Sequence, residues 1–85
     1  MPPFPTTDYF RQMRTRPDRS MIRDEWICSV VAHPERQEIQ SDGRHRRWAR
    51  IPECQNRALR VTLLPDGQTV HNAFFDRDFR PLNEP

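Results

Sequence analysis

Apolar positions follow two regimes along the chain. Before Pro34 they recur at helical spacing; after it they alternate or stand singly between turn residues. Ile22, Trp26, Ile27, Val30 and Val31 trace the i, i+4, i+5, i+8, i+9 stripe of a helix buried on one face. Asp24 and Glu25 stand in its first turn, where carboxylates meet the positive end of the helix dipole, and Pro34 closes it. The spacing therefore predicts a helix from Arg23 to His33. Cys28 falls within the stripe and is expected as a small core residue. Upstream, Asp8 is placed to cap a shorter helix through Thr15, with Tyr9, Phe10 and Met13 on one side and Pro17 ending it. The proline-rich start, Met1 to Thr7, reads as an extended arm.

Beyond Pro34 the pattern is that of strands. The polar run from Glu35 to Ser41, with Ile39 at its centre, suits an exposed edge strand. Asp42-Gly43 signals a two-residue hairpin turn into a second strand, Arg44 to Ile51, which contains Trp48 and stops at Pro52. A loop to Arg57 follows. Leu59, Val61 and Leu63 then alternate with Arg60 and Thr62, as in a half-buried strand. Pro65-Asp66-Gly67 makes another turn, and Thr69 to Phe75 forms the fourth strand. The expected fold is α+β: one or two N-terminal helices packed on one face of a four-stranded antiparallel β-meander. It divides into an extended or partly helical arm at 1–20, one α+β domain at 21–81 and a flexible tail at 82–85.

The last turn decides where His71 points. A three-residue Pro-Asp-Gly loop pairs Leu64 with Gln68 and sets His71 opposite Val61, on the face of Leu59 and Leu63. Phe75 then joins the core, and Arg60, Thr62, Asn72 and Phe74 face the other way. A two-residue Asp-Gly loop pairs Leu64 with Thr69 instead, sends Val70, Asn72 and Phe74 to the core, and leaves His71 accessible. Proline's fixed φ favours the first.

Composition narrows the functional classes. The 85 residues are 34% hydrophobic and 31% charged, so the core is small and a large internal ligand cavity is excluded. No run is long and apolar enough for a membrane span, and the N-terminus lacks a signal-peptide layout, which together imply a cytoplasmic protein. Cys28, His33, His45, Cys54 and His71 are too scattered for a zinc site. With two glycines, phosphate-cradling loops are excluded too, so no metal and no cofactor is expected.

Charge adds a candidate surface. All 14 basic residues are arginine, and residues 44–60 hold six of them against one carboxylate, Glu53. Arg44, Arg46, Arg47, Arg50, Arg57 and Arg60, with Trp48 among them, lie on two adjacent predicted strands. Guanidinium groups bind phosphate in bidentate fashion and stack on bases, and an indole offers a platform, so Arg44, Arg46, Arg47, Trp48 and Arg50 are candidate nucleic-acid contacts. The competing explanation is cross-strand pairing with Glu35, Glu38 or Asp42. A second constellation joins His71 with Asp76, Arg77 and Arg60; acid-base and cationic groups of this kind are what metal-independent RNA cleavage requires.

The helix ending in HPE, the QSDGRHRRWARIPE stretch and LRVTLLPDGQTVHNAFFDRDFRP resemble a group of small bacterial proteins of unassigned function. Through them the chain is distantly similar to the BrnT and RelE toxin superfamily. That resemblance implies N-terminal helices on an antiparallel sheet, RNA-directed toxin activity, a cognate antitoxin as partner, and catalytic roles for Arg60, His71 and Arg77. The chain lacks the lysines and terminal tyrosine of a RelE-like pattern. The alternative function is a non-catalytic interaction or dimerisation module, using the Glu35 to Ser41 edge or an apolar patch at Phe74, Phe75 and Phe79.

Overall fold

A computed structural model describes residues 2–79. The helix expected from the apolar stripe is present as α3 (Asp24–Ala32), with Arg23 and His33 as its flanking caps. It follows two shorter helices, α1 (Asp8–Met13) and α2 (Pro17–Ser20). Thr7, not Asp8, caps α1: its hydroxyl accepts the Phe10 N–H at 3.1 Å, while Asp8 sits in the first turn, paired with Arg11. Pro17 separates the first helix from the second and starts α2 at its N1 position, where the missing N–H costs nothing.

Four strands follow in the meander order β1-β2-β3-β4, all antiparallel: β1 (Arg36–Ile39), β2 (His45–Ile51), β3 (Arg57–Leu63) and β4 (Val70–Phe75). The fold is α+β, as the pattern of the sequence requires. Alternation sorts the strands onto two faces. Ala49, Leu59, Val61, Leu63, Val70 and Ala73 meet Phe10, Ile22, Ile27 and Val30 in the core. Burial of this small apolar set is the main force holding the helices to the sheet. Cys28 does not join it. It lies one turn beyond Asp24, on the side of α3 that also carries Glu25 and Ser29, and is exposed.

Both hairpin turns are longer than the expected alternatives. Gln40 N–H donates to the Arg44 carbonyl at 2.8 Å, closing three residues with Gly43 at φ +89°. In the second, Leu64 N–H donates to the Thr69 carbonyl at 2.9 Å, and Gly67 takes the left-handed position at φ +69°. Asp66 holds this turn: Oδ1 accepts the Gln68 and Thr69 N–H groups, both at 2.9 Å, and Oδ2 accepts the Thr69 hydroxyl at 2.6 Å. Leu63 then pairs with Val70 but Thr62 with Asn72, so His71 is the extra residue of a β-bulge. The turn has the Leu64–Thr69 pairing of the two-residue alternative. Past the bulge, Phe75 lies on the core side while Arg60, Thr62, Asn72 and Phe74 face away, as the three-residue alternative requires.

The N-terminal arm is part of this structure. Val70 N–H donates to the Pro5 carbonyl at 2.9 Å and Thr7 N–H to the Val70 carbonyl at 3.1 Å, making a short parallel bridge along β4. Phe4 packs against the core and Phe10 is buried within it. From Phe4 through α2 this segment therefore packs on the folded unit. The expected tail at 82–85 lies outside the described residues.

One surface pair ties β1 to β2. The Glu35 carboxylate accepts Arg50 Nη2 at 2.7 Å, Nε at 3.1 Å and the Arg50 backbone N–H at 2.7 Å. These hydrogen bonds hold the Glu35 pKa below its ordinary value. A carboxylate with a depressed folded pKa adds stability above its unfolded pKa and loses it as pH falls through the folded value. Glu35→Gln should therefore be less stable than the parent at pH 7, with the gap narrowing as pH falls below the ordinary glutamate range. Urea melts across pH 7 to about 3 measure this; a gap independent of pH would show that the ion pair contributes nothing.

Candidate nucleic-acid interface

The face of the sheet opposite the helices carries a row of alternating cations and rings. Arg36, Trp48, Arg60 and Phe74 are direct cross-strand neighbours on β1, β2, β3 and β4. Arg36 and Arg60 lie over the Trp48 ring at 5.5 and 5.8 Å, Arg60 lies over Phe74 at 4.9 Å, and Arg19 covers Phe74 at 5.2 Å. Arg19 reaches around β4 from α2, its Nη1 donating to Asn72 Oδ1 at 2.8 Å. Each contact is a cation held against a ring's negative face. Trp48 is thereby covered to 6% exposure, and Phe79 closes over it with ring centroids 6.3 Å apart. It is a packed residue of this face and is not available as a base platform. Arg60 has a lowered pKa, through burial and then the charge of Arg46, and its Nε is buried without a hydrogen-bond partner.

Two irregular segments build a cleft at one end of the sheet. After β2, Pro52–Cys54 makes a 3-10 turn, and Gln55 and Asn56 both take left-handed backbone angles, φ 57° and 58°. Asparagine tolerates this conformation; glutamine adopts it at a cost of about 1 kcal/mol, supplied by the surrounding structure. The turn ends with Asn56 N–H donating to the Ile51 carbonyl at 3.0 Å. After β4, Asp76 N–H donates to the Ala58 carbonyl at 2.9 Å, Asp76 Oδ1 accepts the Asp78 N–H at 2.9 Å, and Oδ2 accepts Trp48 Nε1–H at 2.9 Å. These three bonds fold residues 76–79 back onto the sheet.

Between the two segments lies a cleft of about 350 Å³ lined by Arg50, Asn56, Arg57, Ala58, Phe75, Asp76, Arg77 and Phe79. Arg57 lies over the Phe75 ring at 4.5 Å. A second hollow of about 300 Å³ shares Arg57, Phe75 and Arg77 with the first, so this trio stands between the two. Arg50 is neutralised by Glu35. Neither Arg57 nor Arg77 forms an ion pair with a carboxylate among the described residues, unlike Arg11, Arg14, Arg23 and Arg44.

The residues singled out in the sequence are dispersed by strand alternation. Arg46, Trp48, Arg50 and Arg60 share the open face. Arg47 turns to the helix side and donates to the Val31 carbonyl at 2.8 Å, and Arg44 lies in the first hairpin turn, paired with Asp42 at 3.6 Å. His71 is held elsewhere. Its Nδ1 lies 3.0 Å from the Thr7 hydroxyl and its ring stacks on Tyr9 with centroids 4.8 Å apart. Thr7 Oγ1 also accepts the Phe10 N–H, so this hydroxyl links the α1 cap to the imidazole, whose neutral form has one ring nitrogen that accepts and one that donates. Burial and then the charge of Arg44 lower the histidine's pKa, which favours that form. His71, Arg60 and Arg77 do not converge: His71 meets the arm and α1, Arg60 the open face, and Arg77 the cleft. Arg57 and Phe75 emerge as cleft residues that their positions in the basic block and the phenylalanine patch already marked as unusual, without indicating that they meet. Set against known proteins, the chain matches no family model, no curated protein and no solved structure.

Proposed function

We propose that the protein binds single-stranded RNA at the cleft, with a backbone phosphate between Arg57 and Arg77 and a base against Phe75 and Phe79. The observation that carries this reading is a pair of arginines, without carboxylate partners among the described residues, lining one cleft with two aromatic rings. The volume, about 350 Å³, lies within the range of small-ligand sites and suits one nucleotide. Guanidinium and aromatic groups supply the two contacts, phosphate neutralisation and stacking, by which single strands are held without sequence readout. The open face, with Arg46 and Arg60, extends the positive surface alongside.

The reading is of binding rather than cleavage. Among the described residues no histidine lines the cleft, and the one carboxylate that does, Asp76, is engaged by Trp48 and Asp78. It therefore calls for neither toxin activity nor an antitoxin partner. Fluorescence anisotropy with a labelled single-stranded RNA, over a salt series, tests it. The parent should bind with a steep salt dependence, and Arg57→Ala and Arg77→Ala should each weaken binding and reduce the slope of log K against log salt by about 0.7 to 1. Arg16→Ala, at an exposed position before α2, should change neither. Equal binding by all four proteins, or none at low salt, would overturn the proposal.

A further inference from the structure

The two edges of the sheet are treated differently. Along β4 the arm at Pro5 and Thr7 satisfies Val70, and further along Asn72 Oδ1 accepts the Ala73 N–H while Arg19 Nη1 donates to the Ala73 carbonyl. Among the described residues, nothing pairs with the outer side of β1, which ends on Ile39, 70% exposed and the most exposed of the large hydrophobic residues described. The Gln40–Arg44 closure makes Glu38–Arg46 the next mutually bonded pair, because bonded and non-bonded pairs alternate along an antiparallel ladder. The N–H and C=O groups of Gln37 and Ile39 therefore point outward, as a template for another strand.

We propose that the occupant of this edge is the β1 strand of a second copy, paired antiparallel about a two-fold axis at Gln37. The charge pattern selects that register. Arg36 and Glu38 lie on the same face and pair within the strand at 2.9 Å. With Gln37 opposite its own copy, each Arg36 faces the other chain's Glu38, so that two cross-strand ion pairs form. A shift that centres the axis on Glu38 would set two carboxylates against each other, which is destabilising. The outward groups of Gln37 then bond reciprocally, and the two meanders become one eight-stranded sheet. Isologous pairing of this kind is self-limiting, since β1 is the one edge strand of each copy with no partner segment among the described residues. This inference is independent of RNA binding and does not involve the cleft.

Cysteine cross-linking reads the register directly. In a Cys28→Ser, Cys54→Ser background, Gln37→Cys should form an intermolecular disulfide on mild oxidation, because a bonded pair sets its Cα atoms about 5.5 Å apart, within disulfide reach. Ile39→Cys should not, since it faces residue 35 of the other copy. In light scattering at about 1 mM chain, where even weak association registers, the parent should show twice the single-chain mass. Glu38→Arg should be monomeric, and Arg36→Glu with Glu38→Arg should recover the dimer. A monomeric parent at that concentration, preferential cross-linking at Ile39→Cys, or no recovery by the double swap in a chain that keeps its circular dichroism would each overturn the proposal.

Discussion

Leu59→Ala is expected to lower the stability of the protein by about 2–5 kcal/mol, the range for removing most of a fully buried leucine and leaving part of its volume empty. Leu59 has no exposed surface, lies mid-strand in β3 and pairs across to Ala49 on one side and Phe75 on the other. Ala49 is too small to fill the space. A domain of this length is stable by roughly 4–13 kcal/mol, at about 0.05–0.15 kcal/mol per residue, so one such change removes a large share of the total. Urea denaturation should show a lower midpoint at unchanged slope. The control is Ile39→Ala, equally apolar but exposed, which should move stability by no more than about 0.5 kcal/mol. A Leu59→Ala cost within that same margin would mean that the sheet-helix layer is not the core.

What the sequence revealed divides along physical lines. Helix α3 was legible because three signals agree there: an apolar stripe, carboxylates in the first turn and a closing proline. β3 was legible because its alternation is strict. Cys28 was misplaced because neighbouring stripe positions are 100° apart on a helix, and the stripe's edge is set by what packs on it. The bulge at His71 depends on Asp66, whose carboxylate captures three donors and lengthens the turn. Such local side-chain bonds compete with the ladder in ways that residue pattern alone does not rank. The arginine cluster was visible as a cluster, but strand alternation gives its members different neighbours, sending Arg47 under α3 and Arg46 outward. The cleft was not visible, since it requires residues 50–58 and 75–79 to meet, a consequence of the tail turning back at Asp76.

Trp48→Ala should be the other severe change, costing about 3–5 kcal/mol as the loss of a buried large aromatic does. Its consequences reach further than packing. The indole is gripped by Arg36 and Arg60 on the open face and by Phe79 from the tail, and its N–H holds the Asp76 carboxylate at 2.9 Å. Trp48→Phe separates these contributions, because it keeps a ring for the cations but removes the only side-chain donor to Asp76 Oδ2 among the described contacts. A charged group deprived of its partner costs about 1–3 kcal/mol, so Trp48→Phe should be intermediate in stability. Asp76→Ala should cost less in the Trp48→Phe background than in the parent, because of its two side-chain bonds only the one to the Asp78 N–H is then left to lose. A double-mutant cycle in urea melts measures that coupling; additive losses would show that the indole N–H does not anchor the tail. Because Arg77 and Phe79 follow Asp76 directly, Trp48→Phe should also weaken RNA binding while leaving Arg57 unaltered. The same Trp48 side chain thus links the stability of the sheet's open face to the shape of the cleft, and the two readouts should fall together in Trp48→Phe but separate in Arg77→Ala, where binding alone is lost.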